Sequence, residues 1–464
     1  MKPGRGVVLL AVTPLVLAIA FTLWRTPFPL SEGVALLEDV ANRPAASFLV
    51  PTLSYYRPVF HVTLSAIWNS DLPLPAGLAA INLISIAAVV ALGVLFVWCT
   101  RPRTWLDTVL AIVAAGALLG HPGFRDNLEI PLTYTLVGMP IALGVWLLLQ
   151  RPASWSRAAL ILLLMAVAIG FKEQGLVLGP VILAAFVTGV RGADRRLAVA
   201  TVALCALYVA VRLMWRGEWA MFEQAVGFGF IEMSPDEAVG RFGGFPYLIY
   251  AYSGASTILN VLLSEPTRGV LIVVEAAADG RPPLHELMHV ASSAALTLVI
   301  GWWGVRAWRS QGEAGSGPDA QLIAVLVVAL LATGVLSFNY SRDRLGGMAT
   351  VFYALAAFHA LRAACAALLV RPRWQFMCGA VLAVLLALAW QLRAIGTLER
   401  ARMNAANNQL EWTVAAPARR VEFADRPTYL DLMTMLAGQG ADQSVPHPTM
   451  WPRPLARAMG TPLQ

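Results

Sequence analysis

The sequence predicts an all-α, polytopic bundle of transmembrane helices, and three observations carry that prediction. About eleven runs of apolar residues approach the roughly 20 that a helix needs to cross a bilayer. Of 464 residues, 58% are hydrophobic and only 13% charged, with a mean hydropathy of +0.66. A single water-soluble core could not hide that much apolar surface. Finally, the arginines gather in alternate loops: Arg101 and Arg103, Arg151 and Arg157, Arg191 with Arg195 and Arg196, Arg306 and Arg309, Arg371 and Arg373. The positive-inside rule places those loops in the cytoplasm, together with the short N-terminus carrying Lys2 and Arg5. The net charge of +7 thus follows topology and forms no basic stripe, so nucleic acid is not an expected partner.

Taken in order, the first helix is expected at 7–24, after Lys2 and Arg5. It resembles a signal peptide, but no small-residue cleavage site precedes the polar segment, which favours an uncleaved helix. Run 78–99 ends before Arg101, run 104–120 lies between Arg103 and His121, and run 131–149 ends before Arg151. Runs 157–171 and 174–190 flank Lys172-Glu173, and run 197–215 lies between Arg196 and Arg216. Later helices are expected at 286–306, 321–338, 346–369 and 375–393, each closed by a charged or polar turn. An odd number of spans puts the C-terminus outside. The chain then divides into a membrane domain, 1–393, and an exterior tail, 394–464, which opens as a polar helix and turns proline-rich.

Two more exterior segments, Arg25–Ala76 and Arg216–Pro283, are large enough to build a site. Within the second, 247–263 and 270–278 are apolar but separated by Ser264-Glu265-Pro266, which reads as interfacial. Cys99, Cys205, Cys365 and Cys378 lie in or beside apolar runs and imply neither a disulfide framework nor a thiolate metal site. Lysine occurs only at positions 2 and 172 while arginine abounds. That bias suits a high-GC bacterial genome, hence a bacterial inner (plasma) membrane.

The expected exterior face collects polar clusters. Glu32, Glu38 and Asp39 follow the first helix, and Tyr55-Tyr56-Arg57-Pro58 comes later in that loop. His121-Pro122 with Arg125, Asp126 and Glu129 sits between the third and fourth helices, Lys172-Glu173 between the fifth and sixth, and Arg342-Asp343-Arg344 between the ninth and tenth. One such cluster can simply snorkel to water. Together they suit a phosphate-bearing lipid and a hydroxyl acceptor. Arg57, Lys172, Arg342 and Arg344 supply charge-assisted bonds to phosphate, and a first-loop carboxylate can take the acceptor's proton.

In this order the clusters resemble the GT-C superfamily of membrane glycosyltransferases, most closely its protein O-mannosyltransferase-like branch. That branch has an acid after its first helix, then a Tyr-Arg-Pro, matched by Tyr56-Arg57-Pro58. A His-Pro followed by an acid is matched by His121-Pro122 with Asp126, a Lys-Glu pair by Lys172-Glu173, and a late Arg by Ser341-Arg342-Asp343-Arg344-Leu345. The resemblance spans roughly 1–370. It departs from the family at the acids: two adjacent Asp residues are usual, whereas this chain has Glu32-Gly33 and then Glu38-Asp39. The base therefore stays open among Glu32, Glu38 and Asp39.

The resemblance implies transfer of a sugar from a polyprenyl-phosphate donor to a hydroxyl, with inversion, on the exterior side. Tyr56, Arg57, His121, Asp126, Lys172, Glu173, Arg342 and Arg344 would contact substrate. The partners it implies are the lipid-linked donor and membrane lipids, with the acceptor unspecified. Any cofactor is also unspecified, a divalent metal being compatible.

Two other classes stay in view. His285-Glu286-Leu287-Met288-His289 is an HExxH sequence, which on a helix can bind zinc and supply a general base, as in peptidases. No third ligand follows within that helix. A lipid or solute transporter would instead carry ionisable groups near the midplane, whereas here only His359 lies well inside a span, as a core histidine commonly does.

Overall fold

The computed structural model describes residues 4–29, 40, 43–50, 56–70, 74–128, 135–216, 226–228, 231–233, 235–242, 247–264, 277–280, 284–310 and 317–419. The described chain is mostly helical. Its helices are α1 (Arg5–Arg25), α2 (Pro58–Trp68), α3 (Leu74–Thr100), α4 (Trp105–Leu119), the one-turn α5 (Pro122–Arg125), α6 (Gly138–Leu149), α7 (Trp155–Phe171) and α8 (Leu178–Val187). They continue as α9 (Arg195–Arg216), α10 (Pro235–Phe242), α11 (Tyr247–Leu263), α12 (Leu284–Arg309), α13 (Pro318–Leu336), α14 (Gly347–Leu368) and α15 (Arg373–Arg419). Three short strands, β1 (Val226–Phe228), β2 (Ile231–Met233) and β3 (Tyr340–Ser341), form a ribbon in the order β2-β1-β3. In it β2 is antiparallel to β1 and β3 is parallel.

Each of the eleven expected runs overlaps a helix among the described residues, but fewer are long enough to cross a membrane. Among the described residues six qualify: Arg5–Arg25, Ala80–Thr100, Leu287–Arg309, Pro318–Leu336, Asp343–Leu368 and Arg373–Ala406. A seventh would be Trp105–Leu119 with Pro122–Leu128, bent by 58°. Elsewhere turns shorten the run. A 3-10 turn at Glu173–Val177 precedes α8, leaving ten residues of α-helix, or about 15 Å.

The alternate-loop arginines meet at one end of the bundle. There the Gly192 N–H donates to the Leu149 carbonyl at 2.7 Å, and Gln321 Nε2 donates to the Thr188 carbonyl at 3.1 Å. Arg362 Nε approaches Asp107 Oδ1 at 3.4 Å, while Asp107 closes a capping box with Thr104 at the start of α4. Exposed tryptophans ring the same end: Trp98, Trp105, Trp155, Trp302, Trp308 and Trp374. Such rings favour the headgroup level of a bilayer.

α14 is the central element. Met348 to Ala357 is buried almost without interruption, and the helix packs on α4, α6, α12 and α13. A helix apolar all round belongs inside a bundle. α1 lies on α3 and α15.

One sequence expectation needs correction and two others are extended. Segment 247–263 is not set apart at the interface: α11 packs on α12, α13 and α14. It turns a stripe of Ser253, Ser256, Thr257 and Asn260 inward. The boundary at 393 falls inside α15, which continues to Arg419; Ala394, Thr397, Leu398 and Ala401 are buried, and Asn408 Nδ2 donates to the Pro27 carbonyl at 2.9 Å. Only 420–464 lies outside the described residues at this end. His359 lies well inside the candidate span Asp343–Leu368. Its Nδ1 is 3.5 Å from Asp319 Oδ1 in the first turn of α13, near the basic end.

Candidate functional site

At the end opposite the arginine-rich turns, three loop segments converge. Arg57 precedes Pro58, whose fixed φ suits the first turn of α2. Lys172 follows α7 in extended conformation, its N–H donating to the Ala168 carbonyl at 3.0 Å. The chain then folds straight back through the 3-10 turn, with the Gly175 N–H donating to the Lys172 carbonyl at 2.8 Å. That reversal demands glycine: a Cβ at 175 would lie 2.3 Å from the Ile169 nitrogen and 2.4 Å from the Ala168 carbonyl carbon. Arg342–Arg344 forms the turn between β3 and α14.

Arg57 and Glu173 form a two-pronged ion pair, with Nε donating to Oε2 at 3.0 Å and Nη2 to Oε1 at 2.9 Å. The two side chains are only 10% and 15% exposed, so the pair is held largely away from water. Burial alone would raise the Glu173 carboxyl. The Arg57 guanidinium, its hydrogen bonds and the Lys172 ammonium outweigh it and hold the carboxyl well below the usual carboxylate range.

Lys172 is buried. Loss of solvation, then the Arg57 guanidinium, push its ammonium well below the usual lysine range; Glu173 pulls back, and Arg344 and Arg342 push further. Three of the expected guanidiniums thus act on the fourth expected cation, Lys172.

The Arg342–Arg344 turn is braced from both flanks. Asp126 Oδ2 accepts the Arg344 N–H at 2.9 Å, and Asn127 Nδ2 donates to the Arg344 carbonyl at 3.2 Å. From α11, Asn260 donates to Asp343 and Thr257 shares a 2.9 Å hydroxyl contact with Ser341. Arg342 Nε donates to the Tyr340 hydroxyl, its guanidinium lying 5.2 Å from that ring's centre.

Several residues expected to contact substrate also make contacts within the protein. His121 is fully buried; Nδ1 accepts the Gly123 N–H at 3.0 Å, so Nε2 carries the proton and donates to the Val261 carbonyl at 2.9 Å. Both ring nitrogens thus make contacts within the protein. The Asp126 carboxylate orders the Arg344 backbone. Tyr56 donates its hydroxyl to the Leu49 carbonyl at 3.0 Å, and its own carbonyl accepts from Tyr208 at 3.0 Å. Glu173 serves Arg57.

Glu32, Glu38, Asp39, Tyr55 and Glu129 lie outside the described residues. On either side of the acids the chain is anchored at this same end. Asn82 Nδ2 donates to the Thr26 carbonyl at 2.7 Å, and Phe48 stacks on His61 of α2 with ring centres 5.2 Å apart.

Sequence reasoning missed Arg393. Buried in α15, it donates to the His289 carbonyl at 3.1 Å, to Ser292 and Ser293 hydroxyls at 2.9 and 2.8 Å, and to Ser264 at 2.6 Å. It also stacks on Trp390, 3.7 Å from the ring centre. The signal was an arginine closing an apolar run beside a tryptophan. α4 comes close to it: a Cβ at Gly120 would lie 2.8 Å from the Ala394 nitrogen.

Of the HExxH sequence, the His285 and Glu286 side chains lie outside the described residues. His289 is buried, its carbonyl tied to the Arg393 guanidinium. Among the described residues, no three His, Cys, Asp or Glu side chains converge as a metal-binding set. Compared with protein-family models, curated proteins and solved structures, the chain matches none.

Proposed function

We propose that the protein is a GT-C-type membrane glycosyltransferase that moves a sugar from a polyprenyl-phosphate donor to an acceptor hydroxyl, with inversion. In this reading the chain crosses a bacterial inner membrane about eleven times. The arginine- and tryptophan-rich end is cytoplasmic, and the Arg57–Glu173 end faces outward. The shorter helices α6, α7 and α8 span where the bilayer thins or flanking side chains snorkel.

One observation carries the reading: Lys172, buried at the meeting point of three loops, with Arg57, Arg342 and Arg344 acting on it. A lipid phosphate placed there would meet guanidinium and ammonium groups able to give it charge-assisted bonds. Its own charge grows as the bond from the anomeric carbon to the phosphate oxygen breaks. Preorganised cations favour that product-like state over the donor. The acceptor oxygen forms the new bond to the anomeric carbon, and its proton passes to a first-loop carboxylate among Glu32, Glu38 and Asp39. Glu173, locked to Arg57, is a positioning residue. The second class of reading, transport, is favoured less because the described ionisable groups gather at the two ends rather than at mid-depth.

The test is sugar transfer in membranes supplied with radiolabelled polyprenyl-phosphate sugars. Lys172→Met should lose transfer while inserting normally, and Arg309→Glu, at the other end, should keep it. Full transfer by Lys172→Met would remove the central residue from the site.

A further inference from the structure

At the basic end, a cleft of about 600 Å³ opens between α12, α13 and α14, lined by Trp303, Arg306, Ser310, Asp319 and Arg371 among others. It is remote from the site above: from Gly347 to Ala366 along α14 is 19 residues, or about 28 Å, close to the hydrocarbon thickness of a bilayer. Its volume is that of a small-molecule site rather than a packing defect.

The chemistry of the lining is divided. One side is alanine, at 307, 363, 366 and 367, a smooth surface against which an acyl chain or glycerol backbone can lie. At the rim stand Arg306 and Arg371, both exposed. Among the described residues neither has a carboxylate partner; Arg306 lies 5.7 Å from the Trp302 ring centre. Among the described residues lining the cleft, the one acid is already engaged. Asp319 accepts the Trp303 Nε1 proton at 3.2 Å and lies 3.5 Å from His359 Nδ1. His359 is itself stacked on Trp303 at 5.8 Å. Of the other charged groups nearby, Arg362 is turned to Asp107, so its charge is met outside the cleft.

Depth supplies an independent observation. The exposed rings of Trp302, Trp308 and Trp374 belong to the helices bordering the cleft or to the one that follows them. Exposed tryptophan rings favour the headgroup level of a bilayer, which is also where lipid phosphates lie. We propose that this cleft holds the head group of an anionic phospholipid, with Arg306 and Arg371 as its phosphate ligands and the alanine wall beneath its glycerol and chain. Guanidinium forks match phosphate oxygens in geometry as well as charge. The proposal does not depend on the chemistry at the opposite end of the bundle.

The full-length protein in nanodiscs or detergent provides the test, with bound lipid counted by native mass spectrometry and confirmed by thermal shift. Phosphatidylglycerol should be retained and should raise the melting temperature, whereas phosphatidylethanolamine and soluble glycerol 3-phosphate should do neither. Arg306→Gln/Arg371→Gln should weaken retention by on the order of tenfold or more, as expected for lost charge-assisted bonds. Arg309→Gln, one residue off the lining, should leave it intact. Equal retention of phosphatidylethanolamine, or no effect of the double variant, would overturn the assignment. So would an equal loss in Arg309→Gln, which would mean diffuse surface attraction. Displacement by glycerol 3-phosphate alone would reassign the cleft to a soluble phosphate. Sugar transfer measured in parallel shows separately whether the outer site still works.

Discussion

The buried Arg57–Glu173 pair predicts a large and strongly non-additive response to mutation. Glu173→Gln keeps the shape of the side chain but leaves the Arg57 guanidinium beside the Lys172 ammonium with its nearest negative charge removed. Arg57→Met leaves the carboxylate to Lys172 alone. The side chains are 10% and 15% exposed, so solvent screening offsets little. Removing one partner of such a pair costs about 3–5 kcal/mol, whereas replacing both costs less, since neither partner is then left without the other. The double variant should therefore be more stable than the sum of the single variants by about 1–3 kcal/mol or more. Unfolding in mixed micelles, followed by tryptophan fluorescence, gives the four free energies. The pH dependence has a defined sign. Because the folded carboxyl is held low, its contribution is complete above the unfolded value of about 4.3. It is lost as pH falls through the folded value. Wild type and Glu173→Gln should thus converge in acid. Additive single-variant losses, or equal gaps at neutral and acidic pH, would refute the argument.

Lys172→Met should be at least as stable as wild type, because it removes an ammonium that burial and three guanidiniums disfavour, while losing transfer. That advantage should be full below the folded value of Lys172 and shrink as pH rises toward the unfolded lysine value of about 10.4; micelle unfolding across pH reads it. Gly175→Ala should cost about 1–3 kcal/mol and also lower transfer, since its Cβ overlaps backbone at the end of α7 and must shift the Lys172 turn; normal stability and activity would contradict that geometry. Arg393→Met should lower the melting temperature, because it removes charge-assisted hydrogen bonds to the His289 carbonyl and the hydroxyls of Ser264, Ser292 and Ser293, worth about 1–3 kcal/mol together. A cysteine at Arg309 should react with thiol reagents only from the cytoplasmic side; labelling from outside would invert the topology.

What could be read from the sequence and what could not have separate physical causes. Helices were legible because a bilayer-length apolar run leaves few alternatives. Their ends were less so: the run beginning at 174 does not reveal that Gly175 folds it into a 3-10 turn first. Motif order pointed to Arg57, Lys172, Glu173 and the Arg342–Arg344 turn, which the fold brings to one end of the bundle. It could not separate ligands from braces. His121 and Asp126 share that end, yet their polar atoms serve the backbone of Gly123, Val261 and Arg344. The inward stripe on α11, Ser253-Ser256-Thr257-Asn260, recurs at helical spacing and was readable in principle. An interrupting Ser-Glu-Pro drew attention to the end of that segment instead. Arg393 lay hidden because an arginine closing an apolar run usually marks the membrane boundary.

The central claim, transfer of a sugar at the Arg57–Lys172 end, meets its most direct test in membranes given radiolabelled polyprenyl-phosphate sugars, with lipid and protein products both examined. Wild type, Glu32→Gln/Asp39→Asn and Glu286→Gln are compared. The account predicts transfer by wild type and by Glu286→Gln, and none by the first-loop variant. No transfer by wild type, together with proteolysis that depends on Glu286, would contradict it and make the HExxH helix the catalytic element.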